Sequence, residues 1–190
     1  MSALIGLIRA LPMAAAIGLA AMSAVDAQTA AAPITAIFVR HAEKAATPAD
    51  DPPLTAAGEM RARELVDVVR DAHVTAIITT QFARTRGTAQ PSAAALGITP
   101  EAMPASSPAH VQDVAAAIRT HAGQTVLVVG HSNTVPAIIE ALGGTRPLSI
   151  CDLVYDNLYV VTIPPTGAVG VVHSKYGAAS PADVSCLSAK

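Results

Sequence analysis

Two stretches about ninety residues apart carry the chemistry: Phe38-Val39-Arg40-His41-Ala42-Glu43-Lys44 and Val129-Gly130-His131-Ser132-Asn133. In each, a histidine follows closely on a run of mainly β-branched apolar residues, so each imidazole is expected just past the C-terminal end of a buried strand. Ligands of open parallel sheets bind at that edge. A third strand-like run, Val74 to Thr79, ends shortly before Arg84. Two histidines and two arginines converging on one sheet edge describe a site for a phosphoryl group. A neutral imidazole can attack phosphorus if an acceptor holds its other nitrogen in one tautomer. Arg40 and Arg84 offer planar guanidinium forks that match phosphate oxygens. His131 is expected across the phosphate, donating to an oxygen that gains charge in the transition state. No metal or cofactor is needed, and two adjacent cations would oppose a dication bound by His41, Glu43 and His131.

The surrounding pattern alternates strands and helices. Ile34–Val39 reads as the first strand. Thr55 is a candidate N-cap for a helix running through Leu65, Val66 and Val69. Val74–Thr79 is the second strand, and a helix from about Arg84 to Leu96 ends at Gly97. The stretch from Ile98 to Pro108 reads as a loop. A helix from His110 to His121, a strand over Thr125–Val129 and a helix over Asn133–Leu142 follow. Leu158–Ile163 and Val169–His173 flank Pro164-Pro165-Thr166-Gly167 and form a closing antiparallel pair. The expected fold is α/β: a three-layer α/β/α sandwich with a mostly parallel central sheet.

Residues 1–27 have the composition of a cleavable signal peptide: Arg9, an apolar stretch from Leu11 to Ala21, and Val25-Asp26-Ala27 before the cut. The stretch is broken by Pro12 and is short for a span of about 20 residues. A periplasmic or secreted protein is expected, with no stable membrane insertion once the leader is gone; an uncleaved N-terminal anchor is the alternative. Residues 28–33 are then a linker, 34–178 one domain, and 179–190 a tail. Net charge is −2, without a polybasic patch, and Trp is absent, so nucleic acid is not an expected partner. Cys151 and Cys186 are the only cysteines, an even pair suited to a disulfide in an exported chain, with a buried Cys151 and an unpaired Cys186 as the alternative. His73, His110, His121 and His173 lack context and are expected at the surface.

Val39-Arg40-His41-Ala42-Glu43 resembles the RHG/RHA motif of the histidine phosphatase superfamily, which includes the phosphoglycerate mutases and the small phosphohistidine phosphatases. Gly130-His131-Ser132 resembles its later GH motif, Pro53-Leu54-Thr55-Ala56-Ala57-Gly58 its PLTxxG, and the run Thr79 to Ala89 its SSPxxRAxxTA. The resemblance extends from about Ile34 to Leu142. It implies a phosphoglycerate mutase-like fold, with His41 phosphorylated during turnover, Arg40 and Arg84 on the phosphate, and His131 as the second pocket histidine. In its register the phosphate arginine is Arg84 and not Arg86.

Larger relatives carry an insertion that covers the site and supplies the leaving-group acid; the loop from Ile98 to Pro108 is too short for it. Glu43, Glu101 and Asp113 are the candidate acids, Glu43 favoured by its place next to the motif, with a role orienting the site or pairing with Lys44 as the alternative. Ser132 and Asn133 either contact substrate or cap the fourth helix. The expected function is an exported, metal-independent phosphatase acting on a small phosphomonoester. The alternative is a phospholigand-binding protein of the same fold with little turnover.

Overall fold

The computed structural model describes residues 31–182. The chain runs through β1 (Ile34–Arg40), α1 (Ala56–Arg70), β2 (Val74–Thr80), α2 (Ala83–Leu96), β3 (Glu101–Met103), α3 (His110–Arg119), β4 (Thr125–Gly130), α4 (Thr134–Ala141), β5 (Asn157–Ile163) and β6 (Gly170–Lys175). One six-stranded sheet has the order β3-β2-β4-β1-β5-β6. β3, β2, β4 and β1 are mutually parallel, whereas β5 pairs antiparallel with both β1 and β6.

The continuous apolar strands follow from burial on both faces. Along β1, Ala36 and Phe38 point into a core shared with Val114 and Ile118 of α3 and Val135 and Ile138 of α4. Ile37 and Val39 point the other way, onto Leu65 and Val69 of α1 and Ala89 and Ala93 of α2. β4 alternates in step, with Val126 and Val128 on the first face and Leu127 and Val129 on the second. The three-layer sandwich is therefore present as expected. One element departs from the sequence reading: β3 lies inside the stretch expected to be loop. It is a three-residue edge strand, largely exposed and closely flanked by Pro100 and Pro104, so it carries no alternation to betray it.

Leader residues 1–27 and Cys186 lie outside the described residues, so neither the signal peptide nor a Cys151–Cys186 bridge is described. Cys151 is buried and carries no free thiol. Among the described residues, no helix is long and apolar enough to cross a membrane.

Two glycines place the site. Gly130 ends β4, where a Cβ would lie 2.9 Å from Val135 Cγ2 and 3.1 Å from Thr134 Oγ1, so the chain can turn tightly into α4. Gly58 lies in the first turn of α1, where the Thr55 side chain caps its N–H, and a Cβ there would fall on the Glu43 carbonyl oxygen. Alanine normally gains about 0.5–1 kcal/mol over glycine inside a helix, but overpacking against fixed backbone costs about 1–3 kcal/mol. Gly58→Ala is therefore expected to destabilise, read as a lower urea midpoint with unchanged m-value; a higher midpoint would show that the Glu43 segment yields.

Candidate active site

The β1/β4 register brings the two histidines together. Arg40 stands opposite Gly130 on adjacent parallel strands, so the next residue of each is His41 and His131. The ladder continues one step, with His41 N–H donating to Gly130 O at 2.9 Å. The imidazole centroids lie 5.5 Å apart at an interplanar angle of 63°. Both rings are buried.

His41 Nδ1–H donates to Ala42 O at 2.8 Å, which leaves the Nε2 lone pair as the outward nitrogen of a neutral ring. The Ala42 peptide is itself fixed. Its N–H donates to Thr88 Oγ1 at 2.8 Å, and that hydroxyl donates to Arg84 O at 2.8 Å. Burial pushes His41 from 6.5 down to about 3; the Ala42 hydrogen bond opposes this, and the charges of Arg40, His131 and Arg84 reinforce it. His131 is pushed down to about 4, again first by burial and then by Arg84, His110 and Arg40. Thr80 Oγ1 holds His131 Nε2 at 3.1 Å and is tied to Thr85 Oγ1 at 2.8 Å, while His131 N–H donates to Thr134 Oγ1.

The two arginines are held in different ways. Arg40 is 4% exposed, and its NH1 donates to the carbonyls of Cys151, Asp152 and Val154 at 2.8, 2.9 and 3.2 Å. Its guanidinium stacks on Tyr155, 4.4 Å from the ring centroid. Arg84 stacks on Phe82 at 4.2 Å and lies 4.0 Å from Asp51. Burial lowers both guanidiniums from their ordinary value, although arginine stays charged at any working pH. In each, the Nε–H is buried and has no hydrogen-bond partner among the described residues. An unsatisfied buried donor on a cation is costly, and an anion bound between the two arginines would remove that cost. Arg86 is exposed on α2 and lines a separate cleft of about 470 Å³ with Thr79, Gln90 and Ile98, which excludes both histidines.

Glu43 does not stand free to protonate a leaving group. Buried Arg61 of α1 grips its carboxylate with Nε at 3.0 and 3.1 Å and NH2 at 2.8 Å. Burial alone would raise the Glu43 carboxyl, but the Arg61 bonds and charge outweigh it and hold it below its ordinary value. Arg61 also donates to Tyr176 O and Ala178 O, tying the chain after β6 to the segment that follows His41. The partner of Glu43 is thus Arg61 and not Lys44. Asn133 occupies the N-cap position of α4 without a side-chain cap bond, and neither its side chain nor that of half-buried Ser132 bonds another described residue. Both remain open to a ligand beside His131. Glu101 lies in exposed β3 and Asp113 in the first turn of α3.

The sequence reading missed Thr80, Thr85, Thr88, Arg61, Phe82 and Tyr155. It also placed His110 at the surface, whereas it is 5% exposed. His110, Val114, Ala115 and Ile118 form the buried stripe of α3, a helical spacing that could have revealed it. Among the described residues, no three His, Cys, Asp or Glu side chains are grouped to hold a metal ion.

The model of the histidine phosphatase superfamily (branch 1) matches residues 36–106. Among solved structures, the chain is similar to the protein histidine phosphatase SixA in complex with tungstate. That match has 21% identity and a TM-score of 0.61, covering 74% of this chain and 96% of that one. A protein described as a phosphohistidine phosphatase SixA from Agrobacterium tumefaciens is 25% identical with a TM-score of 0.55, over 76% and 97% of the two chains. One described as an α-ribazole-5′-P phosphatase from Escherichia coli K-12 is 14% identical with a TM-score of 0.60, over 79% and 99%. Comparison with curated proteins gives no match.

The lowered histidine values set a pH dependence of stability. Both imidazoles are harder to protonate folded than unfolded, so the unfolded chain binds more protons below pH 6.5. Stability should be fully present above about pH 6.5 and decline as pH falls toward 4 and then 3. Urea midpoints across this range should show a shallower decline in His41→Ala than in the parent, and equal slopes would contradict the buried neutral His41. Arg61→Met should cost about 3 kcal/mol or somewhat less, the lower end for breaking a buried ion pair, because Glu43 keeps partial exposure. A change within experimental error in denaturant unfolding would remove the pair from the site's support.

Proposed function

Taking this chain as a member of the histidine phosphatase superfamily, we propose that it hydrolyses a phosphomonoester through a phosphohistidine on His41. The coarser statement, a phosphatase, is supported by the family match and by the SixA-like neighbours. One observation carries the finer reading. A neutral imidazole with its Nε2 lone pair free lies beside a second buried imidazole and two guanidiniums whose buried Nε–H groups lack partners.

In this reading the phosphoryl oxygens settle on the Nε–H groups of Arg40 and Arg84. His41 Nε2 attacks phosphorus in line as the bond to the leaving oxygen breaks. As Nε2 becomes bonded, positive charge on the ring is steadied by the Nδ1–H bond to Ala42 O. His131, Arg40 and Arg84 stabilise charge on the equatorial oxygens. Water then attacks the phosphohistidine, releasing phosphate and neutral His41. The depressed His41 value keeps the nucleophile unprotonated well into the acid range. The neighbour's complex with tungstate, a tetrahedral oxyanion, supports an oxyanion site in this fold.

The proposal includes metal independence, since fixed arginine charge does the work a cation would otherwise do. It also includes export, on the strength of the composition of residues 1–27. An extracytoplasmic address favours a small phosphomonoester such as a sugar phosphate or nucleotide over a cytoplasmic phosphoprotein. The second reading, a phospholigand-binding protein with little turnover, draws on one observation: Glu43, the favoured acid, is committed to Arg61.

The test is hydrolysis of an aryl phosphate in EDTA across pH 4 to 8. Turnover should persist in EDTA and fall to background in His41→Ala; equal near-background rates in both would favour the binding reading. Arg84→Ala should weaken inhibition by inorganic phosphate by at least roughly tenfold, the scale of a lost charge-assisted hydrogen bond, while Arg86→Ala leaves it within about twofold. The reverse order would show that the arginine register is wrong.

A further inference from the structure

The site as described lacks an assigned proton donor for the departing alcohol. Glu43 is locked to Arg61. Two other carboxylates lie beside the arginines: Asp51 Oδ1 already accepts the Ala83 N–H at 2.7 Å while facing Arg84 at 4.0 Å, and Asp152, 3.8 Å from Arg40 NH2, is 93% exposed to solvent. We propose that Tyr155 is a further catalytic residue, whose phenolic hydroxyl protonates the leaving-group oxygen. The inference rests on the phosphatase reading above and deepens it.

Three observations carry it. The Tyr155 ring lies 6.1 Å from the His41 ring, so it forms a wall of the same site. A leaving oxygen in line with Nε2 sits one nitrogen–phosphorus and one phosphorus–oxygen distance beyond the imidazole, a comparable separation. Second, the hydroxyl makes no hydrogen bond to another described residue, and the ring is half-buried, so the group is neither consumed by the fold nor lost in bulk water. Third, its backbone is anchored. Arg40 NH1 grips the carbonyls of Cys151, Asp152 and Val154, and Tyr155 N–H donates to Ser180 Oγ at 2.8 Å. So much fixing of a loop that presents a single aromatic ring, in a chain with only two Phe and three Tyr, fits a group held for use.

The step balances. As His41 Nε2 bonds to phosphorus, the phosphorus–oxygen bond breaks with its electron pair going to the leaving oxygen, which takes the Tyr155 proton and departs as an alcohol. The phenolate left behind is stabilised by the Arg40 guanidinium stacked 4.4 Å from the ring centroid. Water attacking the phosphohistidine then gives its proton to that phenolate, phosphate is released, and both side chains return to their starting forms. A phenol is a stronger acid than an alcohol, so the transfer runs downhill for an alkoxide and adds little for a nitrophenolate, which leaves without help.

This selectivity is the test. kcat/KM is measured on the full chain for a nitrophenyl phosphate and for a primary alkyl phosphate, in the parent, Tyr155→Phe, Tyr155→Leu and Asp51→Asn. Tyr155→Phe keeps the ring and the Arg40 stack. It should lose roughly 10²-fold or more on the alkyl ester, the usual scale of general acid catalysis, and less than about threefold on the nitrophenyl ester. Tyr155→Leu should lose activity on both, because it also removes the stack. Equal losses on both esters in Tyr155→Phe would make Tyr155 a structural residue and overturn the assignment. Selective alkyl loss in Asp51→Asn, with Tyr155→Phe unaffected, would pass the role to Asp51. Absence of turnover of either ester by the parent would overturn the phosphatase reading itself, and the inference with it.

Discussion

The pairing of β1 with β4 is the constraint on which the rest depends. Parallel register sets Arg40 opposite Gly130, and the bond from His41 N–H to Gly130 O carries the ladder one residue beyond the strand. Two imidazoles remote in sequence thereby become neighbours without any side chain having to search for the other. The register is enforced from both faces at once. Phe38 and Val128 belong to one core and Val39 and Val129 to the other, so a one-residue slip would exchange the two sets. Gly130 completes the arrangement by letting α4 begin close behind His131.

Burial then converts position into chemistry. Desolvation lowers both imidazoles so that they remain neutral, and the arginines that flank them reinforce the effect. The same arginines, Arg40 buried and Arg84 partly buried, are cations without a described carboxylate in tight contact: Arg40 meets Asp152 at 3.8 Å and Arg84 meets Asp51 at 4.0 Å. Backbone carbonyls and aromatic faces hold them instead. Such a site is electrostatically incomplete, and the proposed phosphoryl group would complete it. By contrast, the Arg61–Glu43 pair is fully matched, which suits support of the segment that follows His41.

How much could be seen beforehand depended on whether a residue announced itself by period or by motif. The sandwich was legible because strands buried on two faces read as continuous apolar runs, and because Thr55 and Gly97 mark the start of α1 and the end of α2. β3 was not, being three exposed residues between prolines. At the site, His41, His131 and Arg40 were legible as strand-end residues and Arg84 from the motif register at the start of α2, and the structure brings all four to one edge. Arg61 was hidden because a charged residue on an amphipathic helix ordinarily faces water, and only its three-dimensional partners reveal that it is 3% exposed. Tyr155 was hidden for a different reason. It comes from an irregular segment more than a hundred residues from His41, folded back by Arg40 through backbone carbonyls that no side-chain pattern can encode.

The central claim is that phosphorus becomes bonded to His41. The direct measurement is rapid mixing of the protein with an aryl phosphate, quenching in base to preserve phosphohistidine, and peptide mass spectrometry to locate the phosphoryl group. The account predicts a base-stable, acid-labile phosphoryl group on His41 that forms before the steady state and is absent in His41→Ala. Turnover that persists in His41→Ala, or a phosphoryl group found on another residue, would contradict it.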